Sequence, residues 1–293
     1  MKVVLYTAFA LVAFACNSIL CRLALKGGEA DAAGFTAVRL ASGAVALLVI
    51  HILASRFAGN GRLSLDTFSK GSWLSAILLF AYAIFFSLAY IDLTASTGAL
   101  ILFGSVQLTM LTIGIIRGER PGIIEWLGIV IAVSGLVYLV LPGLGSPPIG
   151  SSLLMAVAGA SWGIYSLRGG GSDDPLGDTA GNFILAVPMA AVVVIIGYRG
   201  LHLTNFGIGY AVMSGAVTSG IGYAVWYAAV RYLHAATAAV VQLNVPVIAA
   251  IIAVAFLAES FTATLGVASL LILGGVVLCI LYRRPPIESG SAD

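Results

Sequence analysis

The sequence predicts an all-α, polytopic membrane protein: ten transmembrane helices forming two inverted five-helix repeats, with both termini cytoplasmic. Composition, an internal echo and the placement of Lys and Arg lead to it. Of 293 residues, 60% are hydrophobic and 9% charged, with mean hydropathy +1.09. A water-soluble domain carries about 25% charged residues, so most of this chain's surface must face lipid. The net charge of +2 is too small to suggest a nucleic-acid partner. Cys16, Cys21 and Cys279 sit in apolar runs without metal-ligand spacing and read as reduced packing residues.

The echo joins Ala89–Leu141 to Ala229–Leu281, 140 positions later. Identities fall at Ala89/Ala229, Leu93/Leu233, Ala95/Ala235, Thr97/Thr237, Ala99/Ala239, Glu119/Glu259, Gly135/Gly275, Val137/Val277 and Leu141/Leu281. The layout matters more than the number. Each copy reads as a helix end, a small-residue opening, a long apolar run, one Glu and a second apolar run. Repeats of this size are common in transporters.

Runs long enough to cross the hydrocarbon core, about 20 residues each, follow one another down the chain. The first, 3–25, begins behind Lys2. Bulky Phe14 and the apolar residues beyond Cys16 mark it as a retained span, not a cleaved signal. Next come 32–54, after the Lys26–Asp31 turn, and 72–91, after the Gly59-Asn-Gly61 break. Spans 95–116 and 122–141 complete a first half, 1–145, near the Pro142–Pro148 linker. The second half, 146–284, holds 149–168, 178–197, 207–230, 235–257 and 263–282, with a break at Gly169–Pro175. The tail, 285–293, is polar and expected to be disordered.

Lys and Arg set the orientation. With the N-terminus inside, the cytoplasmic set is Lys2, Arg56, Arg62, Lys70, Arg117, Arg120, Arg168, Arg231, Arg283 and Arg284. The outer set is Arg22, Lys26 and Arg199. An odd number of spans in each half inverts the second relative to the first. Such repeats hold cargo near mid-bilayer and expose it alternately to either side.

Several segments carry a family likeness: Phe14-Ala-Cys-Asn-Ser18, Arg39, Ala160-Ser-Trp162-Gly-Ile-Tyr165, Glu119 and Glu259. With these, the whole chain resembles the drug/metabolite transporter superfamily, in particular its EamA-type members, and is most similar to the aromatic amino-acid exporter branch. The resemblance implies export of Phe, Tyr, Trp or similar metabolites from the cell across its inner (plasma) membrane. Three positions depart from the family pattern: Ala15-Cys16 replaces Trp-Gly in the first span, and Val106 replaces a proline whose repeat mate, Pro246, is present.

Aromatic residues gather on three spans. Tyr82, Phe86 and Tyr90 share a helix face. Tyr223, Trp226 and Tyr227 lie on the eighth span, and Trp162 and Tyr165 on the sixth. These make Tyr82, Phe86, Trp162, Tyr165, Tyr223 and Trp226 candidate substrate-binding residues, since flat apolar cargo gains from ring contacts. Ordinary packing or an interfacial belt is the alternative, and the one favoured for Tyr90.

Asn17 and Gln242 are candidate polar contacts, able to hydrogen-bond an ammonium or carboxylate without adding a buried charge. Gln107 and Asn244 are weaker candidates, and interhelical bonding is the alternative for all four. Pro246 and Arg39 are candidate gating or hinge residues. Arg39 either meets a carboxylate or, as its depth favours, snorkels to the outer surface. Glu119 and Glu259 read chiefly as helix-end anchors, a proton-binding pair being the other possibility.

No acid–base set or metal cluster points to an enzyme, and no cofactor is expected. Gly159-Ala-Ser161-Trp-Gly163 has the hydrolase spelling but lies in an apolar helix, where small residues serve close packing. Gly169-Gly-Gly171 lacks the residues of a phosphate loop. The expected partners are a small-molecule substrate and the lipid bilayer, with the chain a monomer or homodimer. An exporter of another metabolite or drug is the alternative, ahead of a passive channel or intramembrane enzyme.

Overall fold

A computed structural model describes residues 2–57, 70–141, 146–169, 172–233 and 235–282. Arg62, Gly59-Asn-Gly61, most of the Pro142–Pro148 linker, His234, Arg283-Arg284 and the tail 285–293 lie outside the described residues. Among those described, the chain is helical, apart from one bridge between Ala30 and Leu203.

The helices are α1 (Lys2–Lys26), α2 (Ala32–Phe57), α3 (Trp73–Tyr90), α4 (Ala95–Ile116), α5 (Ile123–Val140), α6 (Ile149–Gly169) and α7 (Pro175–Ile196). The eighth span runs from α8 (Asn205–Val212) through a π-helical segment, Met213–Ile221, into α9 (Gly222–Val230). The ninth is α10 (Ala235–Gln242) and α11 (Asn244–Leu257), interrupted at Leu243. Pro246, in the first turn of α11, has no N–H to offer the carbonyl four residues back, which accounts for a break there. The last is α12 (Ala263–Leu281).

Side chains satisfy the exposed N–H groups at many helix starts. Ser72 caps α3, Thr94 caps α4, Asp174 caps α7, Thr204 caps α8 and Thr262 caps α12. Helix ends repeat at the 140-residue offset seen in the sequence. Thus α3 and α9 end at Tyr90 and Val230, α4 and α10 start at Ala95 and Ala235, and α5 and α12 start at Ile123 and Ala263.

Among the described residues, nine spans are long and apolar enough to cross a membrane. The remaining helix, α6, carries Ser151, Ser152, Ser161, Ser166 and Arg168, and it packs on α3 and α4. Its polar residues therefore have protein neighbours.

Small residues set the closest crossings. A Cβ on Gly215 would stand 2.1 Å from the Arg39 carbonyl oxygen, so the π segment lies directly on the α2 backbone. The α5–α12 crossing is reciprocal: a Cβ on Gly128 would meet the Gly275 carbonyl at 2.5 Å, and the reverse contact is also 2.5 Å. Side chains such as Ile123, Val130 and Leu270 face outward from this pair, where lipid covers them. In the Gly159-Ala-Ser161-Trp-Gly163 stretch, a Cβ on Gly159 would sit 2.6 Å from the Leu102 carbonyl. Close approach of α6 to α4 explains those glycines.

Candidate functional site

A cavity of about 580 Å³ lies between α1, α3, α4, α6, α7, the π segment, α9 and α10. Its rim includes Gly71, Ser72, Arg168 and Gly169, at one end of the bundle, and it deepens to Asn17, Ser18 and Phe86. Asn17, Tyr82, Phe86, Trp162, Tyr165, Tyr223, Trp226 and Gln242 all line it. Pro246 is buried in α11 away from the lining.

Trp162 is the centre of the aromatic wall. Its ring stacks on Tyr165 at 5.2 Å and on Tyr223 at 5.3 Å, and it meets Tyr82 at 4.9 Å. Phe14 extends the wall to Tyr223 at 5.6 Å and Trp226 at 6.1 Å. Helices α1, α3, α6 and α9 thus contribute to one continuous surface of rings. Tyr90 lies deeper, edge-on to Phe86 at 4.7 Å, with its hydroxyl donating to the Ala95 carbonyl at 3.3 Å. It is a fully buried packing residue rather than part of an interfacial belt.

A polar cluster sits behind the rings. The Tyr82 hydroxyl oxygen accepts from Arg39 Nη2 at 3.0 Å and from Asn17 Nδ2 at 3.3 Å. Asn17 Oδ1 accepts from the Ser214 hydroxyl at 2.6 Å and the Thr218 hydroxyl at 3.3 Å. Ser214 and Thr218 belong to the π segment, which packs on α1. Such segments recur at functional sites.

Arg39 corrects the expectation drawn from its depth. It does not snorkel: it is 1% exposed, with its guanidinium 5.1 Å from the Tyr82 ring and 5.0 Å from the Phe86 ring. Two ring faces and a phenol oxygen hold the cation inside the bundle. Its Nε and Nη1 are buried with no hydrogen-bond partner among the described residues.

The rim is polar. Asn182 Nδ2 donates to the Tyr165 hydroxyl at 3.3 Å, while its Oδ1 accepts from the Ser72 N–H at 2.9 Å. Thr179 and Tyr227 hydroxyls pair at 2.9 Å, and Arg168 Nε donates to Ser75 Oγ at 3.2 Å. Asp174, capping α7, pairs with Lys70 and lies 3.9 Å from His51. Burial pushes its carboxyl up, but the Lys70 ammonium, the Gly177 amide and His51 outweigh that and hold it below the usual carboxylate range.

At the opposite end the bundle is tied shut. Arg22 Nη1 donates to the Tyr90 and Ile91 carbonyls at 2.9 and 3.0 Å, and its Nε lies 3.9 Å from Glu259. The Glu259 carboxylate accepts from the Ala95 N–H at 2.8 Å, the Ser96 N–H at 3.3 Å and the Ser96 hydroxyl at 2.9 Å. It anchors a helix end, and that helix is α4, far away in sequence. The left-handed backbone of Ala258, φ 52°, precedes this carboxylate.

The sequence does not single out Phe14, Thr179, Asn182, Ser214, Thr218, Tyr227 or Arg168 as residues of the site, and it ranks Gln107, which also lines the cavity, below Gln242. Thr179 with Asn182, and Ser214 with Thr218, are three or four residues apart on one helix face, a signal that was present. Asn244 turns away: its Nδ2 donates to the Val241 carbonyl at 2.9 Å from an exposed position.

Residues 149–281 match the EamA-like transporter family. An uncharacterized protein of Pseudomonas aeruginosa is 46% identical over 282 residues, covering 96% of this chain and 96% of that protein. A protein of known crystal structure covers 97% of this chain and 99% of its own with a TM-score of 0.67. At 19% identity, that likeness concerns the fold. This is a polytopic membrane protein with an interior cavity reached from one end. An EamA-like transporter family domain, of the drug/metabolite transporter superfamily, is present in it.

Proposed function

We propose that the protein is a secondary transporter exporting aromatic amino acids and related small metabolites across the cell inner membrane by alternating access. The ring-walled cavity around Trp162 carries this reading. Its volume of about 580 Å³ falls in the range of small-ligand sites, about 300–1,000 Å³. Stacked rings favour flat apolar cargo, each added ring contact contributing about 0.5–1.5 kcal/mol beyond area burial.

Helix packing supports two inverted halves, 1–145 and 146–284. Exchange each helix for its counterpart five spans on, and the main packing contacts are preserved. Helix α3 packs on α6 as α9 packs on α1, and α4 packs on α6 as α11 packs on α1. The π segment packs on α2 as α3 packs on α7, and α5 pairs with α12.

The cavity rim lies at the end bearing Lys70 and Arg168, the side that the positive-inside rule makes cytoplasmic. Arg22 and Glu259 close the other end. The conformation is then inward-facing, ready to load cargo for export. Pro246, beside the break at Leu243, and Arg39, at the α2–α3 contact, are the proposed hinge and gating residues.

Counterflow in proteoliposomes with an amino-acid panel tests the reading. Phe, Tyr and Trp should exchange in preference to aliphatic residues, and Trp162→Ala or Tyr82→Ala should depress exchange without lowering the amount of folded protein. Equal exchange of leucine and phenylalanine, unaffected by either variant, would overturn it.

A further inference from the structure

We infer that Arg39, Tyr82 and Asn17 form an anion-recognition centre, so that the cargo is selected as an aryl carboxylate and its amino group is dispensable. The inference rests on the reading of this cavity as the transport site and adds the chemical class that it selects.

The argument is a census of donors and acceptors. Arg39 is always charged and can only donate. None of the ion pairs among the described residues involves it. A cation within a membrane span without a counter-ion is expensive and marks function by default. Arg39 and Asn17 both donate to the Tyr82 oxygen, which leaves the phenol its proton to give away. Asn17 Oδ1 accepts from the Ser214 hydroxyl at 2.6 Å, while the single Thr218 hydroxyl proton is shared between Asn17 Oδ1 at 3.3 Å and the Ser214 carbonyl at 2.7 Å. The Tyr82 oxygen is filled. What remains is mostly donors: the Tyr82 O–H, the second N–H of Asn17 Nδ2, and Nε and Nη1 of Arg39.

A positive centre with surplus donors suits a group that only accepts, and a carboxylate is that group. Tyr82 and Asn17 line the cavity and would touch it; Arg39, behind the Tyr82 and Phe86 rings, polarises the phenol and supplies the charge. Trp162 stands 4.9 Å from Tyr82, so a carboxylate held there leaves an attached ring against the aromatic stack. No carboxylate of the described residues lies among the rings to pair with an ammonium. Asp178 is the single acid in the lining among the described residues; it lies at the first turn of α7, where it accepts from the Ser172 hydroxyl.

The test is a fluorescence titration of the purified full-length protein, exciting the tryptophans, with matched acid and amine ligands. The pairs are 3-phenylpropionate with phenethylamine, and hexanoate with hexylamine. The wild type should bind each acid at least about tenfold more tightly than its amine, the worth of one hydrogen bond to a charged group. Phenylalanine should bind no better than 3-phenylpropionate. Arg39→Gln should bring the acid-to-amine ratio close to one. Tyr82→Phe removes a single hydroxyl, and should cut the ratio severalfold even if the Arg39 variant fails to fold. Amines binding as tightly as acids to the wild type, or an acid preference untouched in Tyr82→Phe, overturns the inference. If hexanoate is preferred over hexylamine while neither aryl ligand binds, the carboxylate centre stands and the aromatic-cargo reading falls.

Discussion

Replacing Glu259 with Ala should open the end of the bundle that is now closed. Its carboxylate receives two short hydrogen bonds, from the Ala95 N–H at 2.8 Å and the Ser96 hydroxyl at 2.9 Å, and a longer one from the Ser96 N–H at 3.3 Å. Only 9% of the side chain is exposed, and Arg22 stands 3.9 Å away. Counting the short bonds alone, at the low end for charged acceptors, gives about 3 kcal/mol of support for closure. That corresponds to about a 150-fold change in the closed-to-open ratio.

The assay is thiol labelling from the Arg22 side. Ser18→Cys, in a background without Cys16, Cys21 and Cys279, puts a thiol at the deep end of the cavity. A membrane-impermeant maleimide added on that side should react far faster when Glu259 is Ala. Labelling changed by less than about twofold, in protein whose melting is unaltered, would refute the account, because a shift in population must appear in access.

Asn17→Ala should weaken competition by amino acids for exchange more than Gln242→Ala, because it also strips Tyr82 and Ser214 of a partner; equal losses in a competition series would contradict this. Gly215→Val should destabilise the protein by several kcal/mol, since even its Cβ would meet the Arg39 carbonyl at 2.1 Å and neither backbone can retreat; a detergent melting curve measures it. The Asp174 carboxyl is held below its ordinary value of 3.8, so its contribution to stability is present above that pH and fades as acidification passes through the lowered value. Asp174→Asn keeps an α7 cap and should flatten the acid limb of stability against pH.

The spans were legible because the bilayer imposes one length and one composition on all of them. Helix α6 is the instructive exception. Its length and flanking breaks mark it, yet the burial of Ser151, Ser152 and Ser161 depends on neighbours that no single span reveals. Aromatic spacing put Tyr82 and Phe86 on one face, but that this face turns to Trp162 depends on packing between distant helices. Arg39 departs from its expected position for a related reason. Its depth was readable; the rings and phenol oxygen that hold it inward come from another helix. The π segment had no signature either, since Ser214 and Thr218 are equally at home in an α-helix.

The reciprocal glycine crossing of α5 and α12 limits how such a molecule can move. With each backbone resting on the other, the two helices have no slack to slide or part without losing the whole seam. They are a fixed post at the rim of the bundle. In the proposed alternating-access cycle the two therefore travel as one unit.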